Sequence, residues 1–435
     1  MRSLLAFGFL LSIARLALAV PLVVKPGDEG DIIITEDNTL NQTSTTGPVV
    51  QEQAAGELPI SVVNNLPGGD AVFAYVTGKD PNGNIVLLQP DGQWYHPEAS
   101  DSQVPVEISV DLAIPLGGQG STTDFTIPTF LSAGRIYISV GKLKFHTVKD
   151  GAGNLALVEP SALNPSDPSA GLRWGFVELT NTEEGGIYAN ISYVDFVGLI
   201  LGMTLTTTDG GTQSALGLEA DAMEKICNDL RAQAASDGQP WDKLCVTDSS
   251  GNQLRVLSPN YYLDIDSNAF SGYYDQYIND VYAKYADSPL TIDTQSGAGK
   301  VACKTGGTDT LTCEGDNRGY QKPTVRDIFG CNSGPFTVQE GDNAVHAAVV
   351  PRLCAAFHRT TLLLEGGDVQ PSLDASHYYT TPPSNYYSAI VHKYEVDGRG
   401  YAFSYDDVNP AGEDMSGTVS APNPAGLKVT VGGPQ

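Results

Sequence analysis

Between Leu58 and Thr206 the chain repeats one pattern: a short run of alternating apolar and polar residues, closed by Gly, Pro or Asn-Gly. ISVVNNL, AVFAYVTG, NIVLLQP, VEISVDL and RIYISVG are the clearest examples. A period of two places successive side chains on opposite faces of a strand, and turn residues at this spacing are typical of a sandwich or barrel. The β pattern then stops. Leu218, Ala222, Ile226 and Leu230 recur every four residues and predict an amphipathic helix carrying Cys227. Phe270, Tyr273, Tyr274, Tyr277, Ile278, Val281, Tyr282 and Tyr285 predict a second helix. A third is expected from about Pro351 to Phe357, with Pro351 in its first turn. From Lys393 the runs KYEVDG, GYAFSYDD and GLKVTVG read as strands again.

The expected architecture is therefore mainly β with an inserted α/β lobe. A barrel or sandwich spans 58–208 and is completed by 394–435, a cysteine-containing mixed α/β domain spans 209–393, and a ligand is expected in a wide cleft between them. Ahead of these, MRSLLAFGFLLSIARLALAV reads as a secretory signal peptide ending at Ala19, too short and interrupted for a membrane span. Residues 20–57 are polar and turn-rich, with a glycosylation sequon at Asn41. They read as a loosely ordered, propeptide-like extension with one edge strand at Asp31 to Thr35.

The formal charge of −27 argues against nucleic acid or an anionic membrane as partner and is compatible with a neutral polymer. Cys227, Cys245, Cys303, Cys313, Cys331 and Cys354 form an even set in a chain expected to be secreted, so disulfides are expected. Sequential pairing is preferred because each bond closes a short loop. No metal or cofactor is expected: CxxC pairs, HExxH, GxSxG and phosphate-binding loops are absent from the sequence.

Within WGFVELTNTEEGGIYANISYVDFVG, residues 174–198, Glu178 and Asp195 interrupt runs of apolar and aromatic residues. An ionised side chain in such a run costs several kcal/mol of desolvation unless it is paired or sits in a wet cleft. Two of them suggest a site where one carboxyl holds a proton and the other does not, as acid/base cleavage of a glycosidic bond requires. The plain alternatives are a solvated strand glutamate and an Asp bonded to backbone amides. A simple hairpin about Asn181 to Gly186 would set Glu178 opposite roughly Ala189 and carry Asp195 about 20 Å further along, so catalysis by this pair needs a bulge or bend. Tyr261, Tyr262, Tyr378, Tyr379, Tyr386 and Tyr387 form three pairs that could be sugar platforms, although each alone is more often packing. Asp264, Asp266, Asp275, Asp406 and Asp407 are spare carboxylates that could line the cleft.

Together WGFVELT, YANISYVDFVGL, DIFGCNSGPF, RLCAAFHRTTLL and GYAFSYDDV resemble the glycoside hydrolase family 64 β-1,3-glucanases, over the chain from about Ile60 to the last strand. The resemblance implies a thaumatin-like fold and an inverting, endo-acting enzyme whose wide groove releases short laminari-oligosaccharides from β-1,3-glucan. It implies Glu178 as general acid, Asp195 as general base, and Thr180, Tyr188, Asn190, Ser192 and Tyr193 along the substrate. Tyr188 stands where the family often has Trp. Activity should then follow a bell in pH on the acidic side of neutral, with Asp195 ionised. A secreted monomer is expected. The competing reading is a thaumatin-like wall or defence protein that binds β-glucan without cutting it.

Overall fold

The computed structural model describes residues 21–43, 56–98, 102–411 and 416–434. The leader expected at 1–19 lies outside the described residues. The longest sheet runs, in spatial order, through Thr418–Ala421, Gly186–Asn190, Arg173–Thr182, Leu131–Val140, Val72–Lys79, Ile85–Leu88 and Trp94–Tyr95, with Ile114–Pro115 also pairing to Val72–Lys79. A second sheet runs through Thr212–Ala215, Leu201–Thr207, Pro424–Val431, Leu58–Asn64 and Thr122–Ile127. Pro424–Val431 lies parallel to Leu58–Asn64, so the last strand pairs with the first strand after the extension.

Alternation explains how these sheets pack. Val177 and Leu179 face inward with Val76, Ile136 and Ile138, and meet Ile60, Val62, Met203, Leu205 and Val429 in one core. Each such aliphatic side chain, fully buried, stabilises the fold by about 1.5–3 kcal/mol. Trp174 and Phe176 point the other way and join Tyr75, Tyr137, Phe145 and Phe196 in a separate aromatic cluster on the outer face of the long sheet. Glu178 continues that outward series.

Helices and a further five-stranded sheet lie between the strand-rich segments. The first helix, Ala222–Asp237, carries Cys227 as expected. The second is shorter than its apolar series: Phe270 takes a left-handed turn, and the helix proper is Asp275–Lys284. The third corrects the expectation at Pro351. It runs Ala344–His358 with Pro351 in its interior, where buried Val349, Val350, Leu353 and Phe357 hold it against the core despite the missing backbone donor. KYEVDG and GYAFSYDD are not strands. A helix at Tyr386–Lys393 is followed by turns with single bridges at Glu395 and Tyr401, because the side chains there build a buried polar cluster: Asp406 takes Arg359 and His392, and His392 also meets Glu395. The disulfides are Cys227–Cys245, Cys303–Cys313 and Cys331–Cys354, the sequential pairing.

The extension is a second correction. Asp31 to Thr35 is not a strand. Leu22–Val23 instead pairs in parallel with Val246–Thr247, and Thr39–Asn41 pairs with Ala156–Val158. Residues 21–43 are thus docked on the sandwich; polar composition hid this because most of their bonds are made by backbone groups.

Candidate active site

The site is built on the outer face of the longest sheet. Strand register sets Arg135 on one side of Glu178 and Asn190 on the other, with Thr180 paired to Tyr188 one step along that face. The expected partner, Ala189, is offset by one residue and faces the core, because the hairpin turns at Thr182 and Gly186. Arg135 donates from Nε and Nη2 to Glu178 Oε1 at 3.3 and 3.2 Å, and from Nη1 to Glu159 Oε2 at 2.7 Å. Its guanidinium also lies over the Phe176 ring, 4.8 Å from the centroid. Glu159 is buried and takes a second donor, the Thr77 hydroxyl, at 2.6 Å.

Asp195 reaches this face by a bend. The strand ends at Asn190, after which Tyr193 N–H donates to Tyr401 O at 2.7 Å and Ser258 N–H donates to Asp195 O at 2.8 Å. Phe196–Val197 then pairs with Val256–Leu257. The Phe196 ring packs against Trp174 at 4.9 Å and Phe176 at 6.0 Å, on the same outer face as Glu178. Chain reversal therefore removes the 20 Å separation of a straight hairpin.

Gly198 permits the return. A Cβ there would lie 2.1 Å from Trp174 O, closer than any side chain tolerates. Gly198→Ala should push the 195–198 segment off the sheet, lowering activity at least a hundredfold, because small misplacements of a reacting group are costly. The fold should lose a few kcal/mol. Turnover and thermal melting measured on the same sample check both effects.

Thr180, Tyr188 and Asn190 line, with Glu178 and Arg135, a half-open cavity of about 330 Å³. Tyr188 is exposed, with its hydroxyl 3.2 Å from that of Thr418 and 3.4 Å from that of Tyr401. Asp195 lines a second and far smaller space of about 20 Å³ with Arg135, Tyr137, Phe176 and Tyr261.

One sequence-predicted contact is not brought to this face: Tyr193 is buried in the sandwich core beside Glu395. Ser192 is half-buried next to it, its Oγ accepting from Val194 N–H at 3.3 Å. Of the tyrosine pairs, Tyr261 belongs to the site. Tyr387 is buried and donates to Tyr193 O, Tyr386 packs on Trp241, and Tyr378 lies over Arg359. Among the spare carboxylates, Asp264 pairs with Arg326 and Asp406 is buried with Arg359. Sequence reasoning missed Arg135 and Glu159; the signal for the first was an Arg opening the apolar run RIYISVG.

Burial pushes the Asp195 carboxyl up to about 7, helped by the nearby negative charges of Asp37 and Glu178 and opposed by Arg135 and Tyr261. In the unfolded chain the same group would titrate near 3.9, so the fold loses stability as pH rises from about 4 through 7. Asp195→Asn removes that cost. The variant should melt higher than the parent at pH 8, by roughly 2–4 kcal/mol, with the advantage vanishing near pH 4; melting curves at both pH values check it.

Residues 56–431 match the family model Glyco_hydro_64, β-1,3-glucanase. A glucan endo-1,3-β-glucosidase from Cellulosimicrobium cellulans is 27% identical over 282 residues, which cover 63% of this chain and 48% of that protein. The chain thus spans about half the length of the curated relatives it matches. Among solved structures, a laminaripentaose-producing β-1,3-glucanase in complex with laminaritetraose superimposes with a TM-score of 0.75 at 27% identity, covering 86% of this chain and 98% of that one. A β-1,3-glucanase domain from Clostridium beijerinckii, 23% identical, shares the fold with a TM-score of 0.66 over 89% of this chain and all of that domain.

Proposed function

This chain belongs to the glycoside hydrolase family 64 β-1,3-glucanases, and from that premise we propose that it is a secreted, inverting endo-β-1,3-glucanase in which Glu178 is the general acid and Asp195 the general base. The observation that carries the reading is the bend at 191–195, which returns Asp195 to the outer face where Glu178 stands between Arg135 and Asn190. Inversion needs an acid on the leaving oxygen and a base that activates water from the opposite side, with the two carboxyls about 6.5–9.5 Å apart. A base is most effective when its pKa lies near the working pH, so Asp195, pushed up to about 7, suits a base that works near neutrality. Its small pocket suits one water.

The exposed face beside Glu178 suits a polymer. Tyr188 offers a ring to the apolar face of a sugar, and Thr180 and Asn190 offer hydrogen-bonding groups to hydroxyls. We read the sandwich as thaumatin-like, with 58–208 and 394–435 forming the lobe that bears both carboxylates, 209–393 forming the second lobe, and a wide groove between them. The three disulfides suit an oxidising, extracellular compartment. A monomer with no metal or cofactor suffices for this chemistry.

The test is incubation of the purified chain with linear β-1,3-glucan, following product size and the anomer of the new reducing end by early-time NMR. Short oligosaccharides appearing first as the α-anomer support the reading. A β-anomer removes inversion, and retention on glucan without release favours a binding module.

A further inference from the structure

Residues 21–43 lie outside the segment that matches the family, yet they are docked against the two carboxylates. Both ends of this arm are tied down. On one side Leu22–Val23 pairs with Val246–Thr247, and the backbone amides of Lys25 and Gly27 donate to Pro165 and Ser166. On the other, Thr39–Asn41 adds a strand beside Ala156–Val158, and Gln42 N–H donates to Leu155 O. Between these anchors the chain makes a tight turn at Glu36 to Thr39. Buried Asn38 holds that turn, accepting from Thr35 N–H at 2.8 Å and donating to Ile33 O at 3.0 Å.

The turn presents Asp37 to the site. Its carbonyl accepts from Arg135 Nη1 at 3.3 Å, and its side chain lines the small pocket beside Tyr261 and Asp195. Asp37 and Arg135 line the cavity that holds Glu178 and also the pocket that holds Asp195. The two carboxylates are thus served by separate hollows with the arm at their junction. The hollow on the Asp195 side, about 20 Å³, has room for a water and none for a pyranose ring.

We propose that the arm is an intramolecular inhibitor, seating Asp37 in the space between Glu178 and Asp195 that a bound glucan must occupy. The proposal rests on the reading of those two residues as the reacting pair. A carboxylate set among others is held there by its anchors rather than by attraction: burial and the Asp264 and Glu36 charges push the Asp37 carboxyl up, while Arg135 and Tyr261 oppose them. Removing that one side chain leaves the strand pairings of the arm in place and opens the junction.

The test compares the purified chain with Asp37→Ala and with a form lacking residues 21–43. Laminarihexaose binding is measured by calorimetry in a Glu178→Gln background, and turnover of linear β-1,3-glucan with Glu178 intact. Binding should tighten at least tenfold for Asp37→Ala and further for the deletion, with turnover rising in the same order. A synthetic peptide of residues 28–43 added to the deleted form should weaken binding again. Unchanged or weaker binding in Asp37→Ala overturns the proposal and makes the arm a wall of the working groove. Should the deleted form fail to fold by circular dichroism, Asp37→Ala decides alone. Tighter binding with no sugar released by any form keeps the inhibitory arm and overturns the hydrolase reading instead.

Discussion

Glu178→Gln and Asp195→Asn should each lower turnover of linear β-1,3-glucan by about two to four orders of magnitude while leaving the fold intact. General acid or base assistance is worth about 10²–10⁴-fold for each group, and in the proposed mechanism the two act on one transition state, so the double variant should be little worse than either single one. The roles separate by leaving group. Glu178→Gln should recover most of its loss on a laminari-oligosaccharide with an aryl leaving group acidic enough to depart without a proton, whereas Asp195→Asn should not. The pH profile separates them again. Asp195 must be ionised to act as base and Glu178 protonated to act as acid, so kcat/KM for the parent should trace a bell, one limb of which follows the ionisation of Asp195 near 7. Asp37→Ala should move that limb to lower pH, since the Asp37 charge is one of the causes that raise Asp195. Near-normal turnover in either single variant would remove that residue from the mechanism.

Local signals were legible where the cause was local. Alternation marked the strand that carries Glu178, and loop length favoured the cysteine pairing that forms. Distant contacts were not legible. Asp195 arrives through pairing of Phe196 with Leu257, some sixty positions on, and through a close approach of Gly198 to Trp174 O that leaves no mark in the local pattern. Tyr193 carries the same aromatic signal as Tyr188, yet the bend turns it into the core while Tyr188 stays exposed. The arm reads as linker because its anchors are mostly backbone hydrogen bonds, to which composition is blind. At GYAFSYDD, a strand-like alternation is overridden because Asp406 is drawn under Arg359 and His392.

Arg135 carries the other large effect, and its two partners allow folding and chemistry to be told apart. Arg135→Met leaves the buried Glu159 carboxylate without its cation, and breaking a buried pair on one side costs about 3–5 kcal/mol. The variant should melt far below the parent. Adding Glu159→Gln removes the stranded charge, so Arg135→Met/Glu159→Gln should recover most of that stability. Activity should not return with it. The guanidinium still missing from the double variant is the group that holds Glu178 Oε1 in place and opposes the rise of Asp195. Without it the limb of kcat/KM set by Asp195 should move above pH 7. Stability and activity recovering together would make Arg135 a structural residue alone. Stability returning without activity, with the profile displaced upward, would place it among the groups that position and tune the carboxylate pair.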